Sequence, residues 1–277
     1  MKTLYKILIP VAAVVLLIIL CVVLVSASST REAFLTIDKG SVEVDTGNGW
    51  VTATDGVTLS KDDKVRTLAD GRAILVFQES IIVELEPNTE VTVGVVEAQK
   101  VALGQDSGKT WNKFTAIAGV KDYEVTTPNT VATVRGTSFW MDMFSCGVTE
   151  GTVHVKTTDN EKDVTAGFKM DDSIVKPLTD EEKKVAIAHM EAAVKVMKNL
   201  RADEINKHPV LLAIVKARYG WTDQDIAAKL EKLDNGEASL DQVRANSPIP
   251  LASLEKMMKI TEEIRKEKEA IARLSAA

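Results

Sequence analysis

The hydrophobic pattern divides the chain into three stretches. The first is an apolar run from Ile7 to Val25, unbroken by charge and preceded by Lys2 and Lys6. At about 1.5 Å per residue it is long enough to cross the hydrocarbon core of a bilayer as one helix. Pro10 falls in the first turn, where its missing N–H is not needed. The two lysines favour an N-terminus that stays in the cytoplasm. Residues 1–6 are therefore expected to form a short cytoplasmic tail, 7–25 a transmembrane anchor, and 26–33 a linker to a chain that lies outside. A cleaved signal peptide ending near Val25-Ser26-Ala27 is the alternative. Signal h-regions run about 7–15 residues, shorter than this run, and both readings export the remainder.

The second stretch, residues 34–176, reads as strand after strand. Ser41 to Val44, Ala73 to Phe77, Ile81 to Leu85, Glu90 to Val96, Tyr123 to Thr126, Val131 to Val134, Phe139 to Phe144 and Thr152 to Lys156 are rich in β-branched and aromatic residues. Many of them alternate apolar with polar. Turn signals separate them at Gly47-Asn48-Gly49, Asp70-Gly71, Pro87-Asn88, Ser107-Gly108, Pro128-Asn129 and Glu150-Gly151. Many short strands at close spacing predict a mainly β fold: a sandwich, a jelly roll or a short β-solenoid. A weak internal echo pairs Gly40-Ser41-Val42-Glu43-Val44 with Gly151-Thr152-Val153-His154-Val155. It reads either as two related β-units or as chance likeness between two hairpin strands.

The third stretch, residues 177–277, is helical. Thr179 and Glu182 have capping-box spacing, and Ile187, Met190, Val194 and Met197 then fall on one helical face. His208-Pro209 ends that helix. Shorter helices are expected over Val210 to Arg218 and Thr222 to Leu233, with a further capping box at Ser239 and Gln242. A last helix runs from Leu251 to Leu274. Its stripe of Leu254, Met257, Ile264 and Ile271 is interrupted by Thr261 and Lys268, so it predicts packing onto neighbouring helices rather than a long coiled coil.

Charge adds an exclusion. The net charge of −6 lies wholly before Asp180, since acids and bases balance after it. Neither part is a basic surface, so no nucleic-acid partner is expected. Cys21 sits in the apolar run and cannot meet Cys146 in an exported domain, so no disulfide is implied. Bulky Leu20 before Cys21 argues against a lipoprotein site. Gly104 to Thr110 approximates a Walker A loop with one residue too few between the glycines, and a hairpin turn with a polar tip is the better reading. His154, His189 and His208 lie on different elements without metal spacing. Thr222 to Leu230 has the look of the first helix of a helix-turn-helix, but only Arg244 offers a base in the segment that would follow. No catalytic residue, metal ligand or cofactor is assigned.

One motif carries more. Thr127-Pro128-Asn129-Thr130-Val131-Ala132-Thr133-Val134-Arg135-Gly136-Thr137-Ser138-Phe139, followed by Glu150-Gly151-Thr152-Val153-His154-Val155, resembles the signature of the FecR domain family, the ferric-citrate regulator type of extracytoplasmic domain. Gly56, Leu59, Asp63, Val65, Thr67, Gly71, Ala73, Leu75, Ile82, Leu85, Pro87 and Thr89 resemble its first half. Asp62 stands where glycine is usual, and Gln78-Glu79-Ser80 replaces an Asp-Gly-Ser turn. Thr127, Pro128, Arg135, Gly136, Thr137, Phe139 and Gly151 are the motif residues, structural or interacting. Proline fixes an extended entry, Gly136 supplies a backbone conformation or a close approach, and Arg135 either pins turns through carbonyls or meets a ligand.

The family resemblance implies a signal relay, in which an outer domain senses a transporter and a cytoplasmic region controls a sigma factor. Six residues are too few for that region. The expectation is a non-catalytic, membrane-anchored extracytoplasmic adaptor, sensor or protein-binding scaffold, with an envelope protein as partner. A self-assembling surface protein, suggested by Met-rich helical faces, is the alternative, and an envelope hydrolase with paired acids is a third reading.

Overall fold

A computed structural model describes residues 33–115, 117–134, 136–246 and 251–276. The expected tail, anchor and most of the linker lie outside the described residues, as does Arg135. Among the described residues no helix is long and apolar enough to cross a membrane.

The β stretch folds into two nine-stranded sheets. In the first, the order is β18 (Ile174–Pro177), β17 (Phe168–Asp171), β14 (Ser145–Glu150), β13 (Ser138–Met141), β10 (Thr110–Phe114), β7 (Ile81–Leu85), β6 (Arg72–Phe77), β1 (Ala33–Lys39) and β4 (Thr58–Leu59). In the second it is β16 (Glu161–Thr165), β15 (Thr152–Thr157), β12 (Thr130–Val134), β11 (Asp122–Thr126), β9 (Lys100–Ser107), β8 (Glu90–Val96), β5 (Lys64–Thr67), β2 (Val42–Asp45) and β3 (Val51–Thr52). The pairings are antiparallel except for β9 with β11. Those two run parallel because β10, between them in sequence, belongs to the other sheet.

Both sheets feed one core. Leu35, Leu75, Phe77, Val83 and Phe139 from the first meet Val65, Val93, Leu103, Tyr123, Val153 and Val155 from the second. Along β15 the other residues, Thr152, His154 and Lys156, face solvent, the one-sided burial usual for antiparallel sheets. The first sheet departs from this rule. Strands β10 and β13 are buried at every position and β7 at nearly every one, because helices cover their second face.

The chain changes sheet repeatedly, and this corrects one expectation. Gly108 and Lys109 do not form a hairpin: β9 pairs with β8 and β11, while β10 pairs with β7 and β13. The turn is a corner between sheets, which local alternation could not distinguish from a hairpin. The internal echo joins two equivalent corners, and the strand after each opens a hairpin, β2 with β3 and β15 with β16. Gly40 and Gly151 both sit where the chain leaves the first sheet for the second, entering β2 and β15. Both have positive φ, 65° and 79°. A Cβ on Gly151 would lie 2.7 Å from Thr137 Cγ2 and 2.9 Å from the Gly136 carbonyl, so glycine is required on two counts. The strand expected over Phe139 to Phe144 stops at Met141, because Asp142 Oδ1 accepts the N–H groups of Phe144 and Ser145 at 2.9 and 2.8 Å and closes a turn. Asp62, Gln78 and Glu79 keep left-handed backbone, with φ of 73°, 49° and 54°, in spite of lacking glycine.

Five helices follow: α1 (Asp180–Asn206), α2 (Pro209–Tyr219), α3 (Asp223–Asp234), α4 (Leu240–Asn246) and α5 (Leu251–Ala276). Thr179 and Glu182 form the expected capping box at the start of α1. Along α1, Ala186, Met190, Ala193, Val194 and Met197 form a buried stripe. With Ile260, Ile264, Ala270 and Leu274 of α5, this stripe packs onto Trp111, Trp140 and Ile82 of the first sheet. The expected internal packing of the last helix is what the structure shows. Thr261, expected to interrupt its stripe, is buried and hydrogen-bonded instead.

Candidate functional site: an apolar groove between the helices

The remaining helices build a groove rather than a closed core. Helix α2 reads Pro-Val-Leu-Leu-Ala-Ile-Val before its first charge, yet buries no residue. Proline at its start and Gly220 (φ 65°) at its end set its limits. Val210, Ile214 and Tyr219 are more than half exposed. Thr222 and Asp225 cap α3. Between α2 and α3, and against α1, α4 and α5, lies an open cavity of about 430 Å³ lined by Leu212, Val215, Leu230, Val243, Leu254 and Met257 among others.

The floor of this groove is braced by buried charge. Arg201 of α1 grips Asp234 of α3 with both guanidinium nitrogens, Nη2 to Oδ2 at 2.9 Å, and Nη1 also donates to Thr261 Oγ1 of α5 at 2.8 Å. Arg265 of α5 donates to the carbonyls of Leu233 and Ala238, the latter at 2.8 Å. These contacts satisfy the end of α3 and hold three helices at fixed spacing. Tyr219 stacks on Trp221 at 4.9 Å, and Lys229 Nζ lies 4.3 Å above the Trp221 ring.

A second polar constellation lies between the first sheet and the helices. Lys113 of β10 donates to Glu150 of β14 and Glu267 of α5, and Ser138 Oγ donates to Glu267 at 2.9 Å. The Glu267 side chain has no solvent exposure. Burial pushes its carboxyl up to about 7, against the pull of Lys113, while Lys113 outweighs burial at Glu150 and lowers that carboxyl. Two acids sharing one ammonium thus split: the wetter one ionises first, and the drier one keeps its proton up to near neutral pH. Close by, His189 of α1 bridges Glu84 (2.7 Å) and Glu86 (2.9 Å) and stacks on Trp111 at 4.1 Å. Burial opposes a charge on His189, but the two carboxylates outweigh it and raise its pKa. The hydrogen bond from His189, reinforced by Arg72, holds Glu86 down at about 2. Both clusters tie the helices to the β-domain, and each borders only a small cavity, of about 50 Å³ at Glu84, Glu86 and His189 and about 20 Å³ at Lys113, Ser138 and Glu267.

The motif residues stand apart from the groove. Thr127 Oγ1 accepts the N–H of Thr130 at 3.0 Å and shapes the β11–β12 hairpin, with Pro128 exposed at its tip. Gly136 has a φ of 57° and nothing within 4 Å of a built Cβ, so conformation rather than close approach requires it. Thr137 and Phe139 are buried, the latter beside Tyr123. Gly151 is the corner described above. The histidines are accounted for by local partners: His154 is exposed between Asp163 and Glu161, and His208 bonds Ser253 Oγ at 2.8 Å. Among the described residues no group of three or more His, Cys, Asp or Glu side chains is placed to hold a metal ion. Sequence reasoning missed the groove. Its one signal is α2, apolar all round yet too short to span a membrane.

A two-sheet β-domain backed by its own helices is the class that this geometry defines. Residues 63–162 match the model of the FecR protein family, so the chain carries a FecR domain, as the Arg135-Gly136-Thr137 motif led us to expect. No curated protein matches the sequence. Among solved structures the chain is similar to a candidate anti-sigma factor from Parabacteroides distasonis ATCC 8503, at 13% identity and a TM-score of 0.40, over 46% of this chain and 64% of that one. A second structure with the same description matches at 13% identity and a TM-score of 0.39, over 45% and 62%. The chain thus spans less than two thirds of the length of either.

Proposed function

We propose that this protein is a non-catalytic module of the cell envelope, anchored in the membrane by residues 7–25, with its FecR domain and helices outside the cytoplasm. There it acts as an adaptor or sensor that recognises its partner through the helical region. The observation that carries this reading is the division of labour in residues 33–276. Helices α1 and α5 are committed to the β-domain, while α2 and α3 hold an apolar surface away from it. Export is supported by the composition of Ile7 to Val25 and the lysines before it. The absence of chemistry is supported by the acid pair Glu150 and Glu267, which faces Lys113 in the interior. Self-assembly is the second reading. Met190, Met197, Met257 and Met258 are buried against the protein's own elements, so a self-contact would fall to Val210 and Ile214.

The test is a photoreactive residue placed at Val210 or Ile214 in living cells, with a control at His154 on the exposed face of the second sheet. A defined envelope protein captured from α2 and not from His154 supports an adaptor, and capture of the same chain supports self-assembly. Equal, diffuse capture from both positions would remove the assignment of recognition to the helices.

A further inference from the structure

We propose that the groove between α2, α3, α4 and α5 binds a long-chain fatty acid, with the acyl chain along the apolar lining and the carboxylate at Lys229 and Lys232. This deepens the sensor reading above by naming what the site senses, and rests on that reading only for the choice of site.

Three observations carry it. The first is chemical sorting. The charged or titratable residues lining the cavity are Arg201, His208, Tyr219, Lys229 and Lys232, and no aspartate or glutamate is among them. In a chain of net charge −6 the groove is lined by apolar side chains, a few neutral polar ones and cations, with no carboxylate. The second is which of those cations lack a carboxylate. Arg201 is held by Asp234 and His208 is hydrogen-bonded to Ser253. Lys229, over the Trp221 ring, and Lys232, both exposed on α3, are in no ion pair among the described residues, and Asp225 one turn before Lys229 is engaged with the cap of its own helix. Two ammonium groups without a carboxylate at the rim of an apolar slot select an amphiphile whose head is an anion.

The third is size. A volume of 430 Å³ falls within the roughly 300–1,000 Å³ of small-molecule sites. A single alkyl chain lies along Leu212, Val215, Val243 and Met257 and removes apolar surface of the groove from water.

The full chain, placed in nanodiscs of phosphatidylcholine, is exposed to a photoreactive palmitate and the labelled peptides are mapped. The proposal expects saturable labelling of peptides containing Leu212, Val243 or Met257, displaced by palmitate at least about tenfold more effectively than by hexadecanol, which lacks the charge. Lys232→Gln, at an exposed lysine with no ion pair or ring contact among the described residues, should weaken binding about fivefold without shifting the melting temperature. Leu212→Trp with Val243→Trp should abolish labelling by filling the slot, and an unchanged melting temperature guards against an unfolding artefact. Equal displacement by hexadecanol, labelling confined to residues 7–25, or displacement only by an acidic amphipathic peptide would each overturn the fatty-acid assignment. The adaptor reading fails separately, through the crosslinks at Val210 and Ile214, which need no fatty acid.

Discussion

Replacing Lys113 exposes how the β-domain and α5 are held together. Lys113→Met keeps the length and apolar stem of the side chain and removes the charge that Glu150 and Glu267 share. Breaking a buried pair in this way leaves uncompensated charge, at about 3–5 kcal/mol. Glu267 itself should behave oppositely. Its carboxyl is raised from 4.5 to about 7 by burial, which at about 1.4 kcal/mol per unit corresponds to roughly 3 kcal/mol. A group whose pKa is higher in the folded state contributes stability fully below its unfolded value. That contribution is lost as pH rises through the folded value. The window is therefore about pH 4.5 to 7. Glu267→Gln resembles the protonated acid, so it should be close to wild type at pH 5 and more stable by up to about 3 kcal/mol at pH 8. The double variant should recover little of what Lys113→Met loses, because the charge left without a partner is that of Glu150. Urea unfolding at pH 5, 6, 7 and 8, followed through Trp111 and Trp140 beside the cluster, measures all four proteins. A Glu267→Gln variant destabilised by more than about 1 kcal/mol at pH 8 would refute the argument, because it would mean that the ionised carboxylate is a net stabiliser.

Three further outcomes follow from single residues. Gly151→Ala should destabilise by at least about 1–3 kcal/mol, from left-handed strain and contact with Thr137 and Gly136, read as a lower urea midpoint. Asp62→Gly should stabilise by about 1 kcal/mol by relieving a positive φ of 73° on an exposed turn, seen as a higher midpoint at unchanged m-value. Cys146, buried with its thiol pushed up by burial and further by Asp142, should resist iodoacetamide in the native protein and react once urea unfolds it.

Much of this fold is legible in the residues, and the rest is hidden for definite reasons. Period-two alternation found the strands whose outer face meets water, such as Thr152 to Thr157. It missed β10, because Trp111, Asn112 and Lys113 are all buried and carry no alternation. It also could not assign strands to sheets: Gly108 looks like a hairpin tip until β9 and β10 are seen to have different partners. The helix cap at Thr179 is local chemistry and legible as such, whereas the cap at Thr222, with aspartate rather than glutamate as its partner, went unread. The Lys113, Glu150 and Glu267 cluster was not, since its members lie up to 154 positions apart in sequence. The groove was hidden for the same reason: its walls come from five helices, and only the unbroken apolar start of α2 hinted that a face would go uncovered.

The central claim is that the FecR domain and its helices stand outside the cytoplasm on an N-terminal tether. Lys156 on the exposed face of β15 offers a direct probe, since Cys146 is buried and Cys21 lies in the apolar run. A Lys156→Cys protein in intact spheroplasts, treated with a membrane-impermeant maleimide, should label as fully as in lysed cells and sediment with the membrane. Labelling that appears only after lysis would place the domain in the cytoplasm and contradict the account.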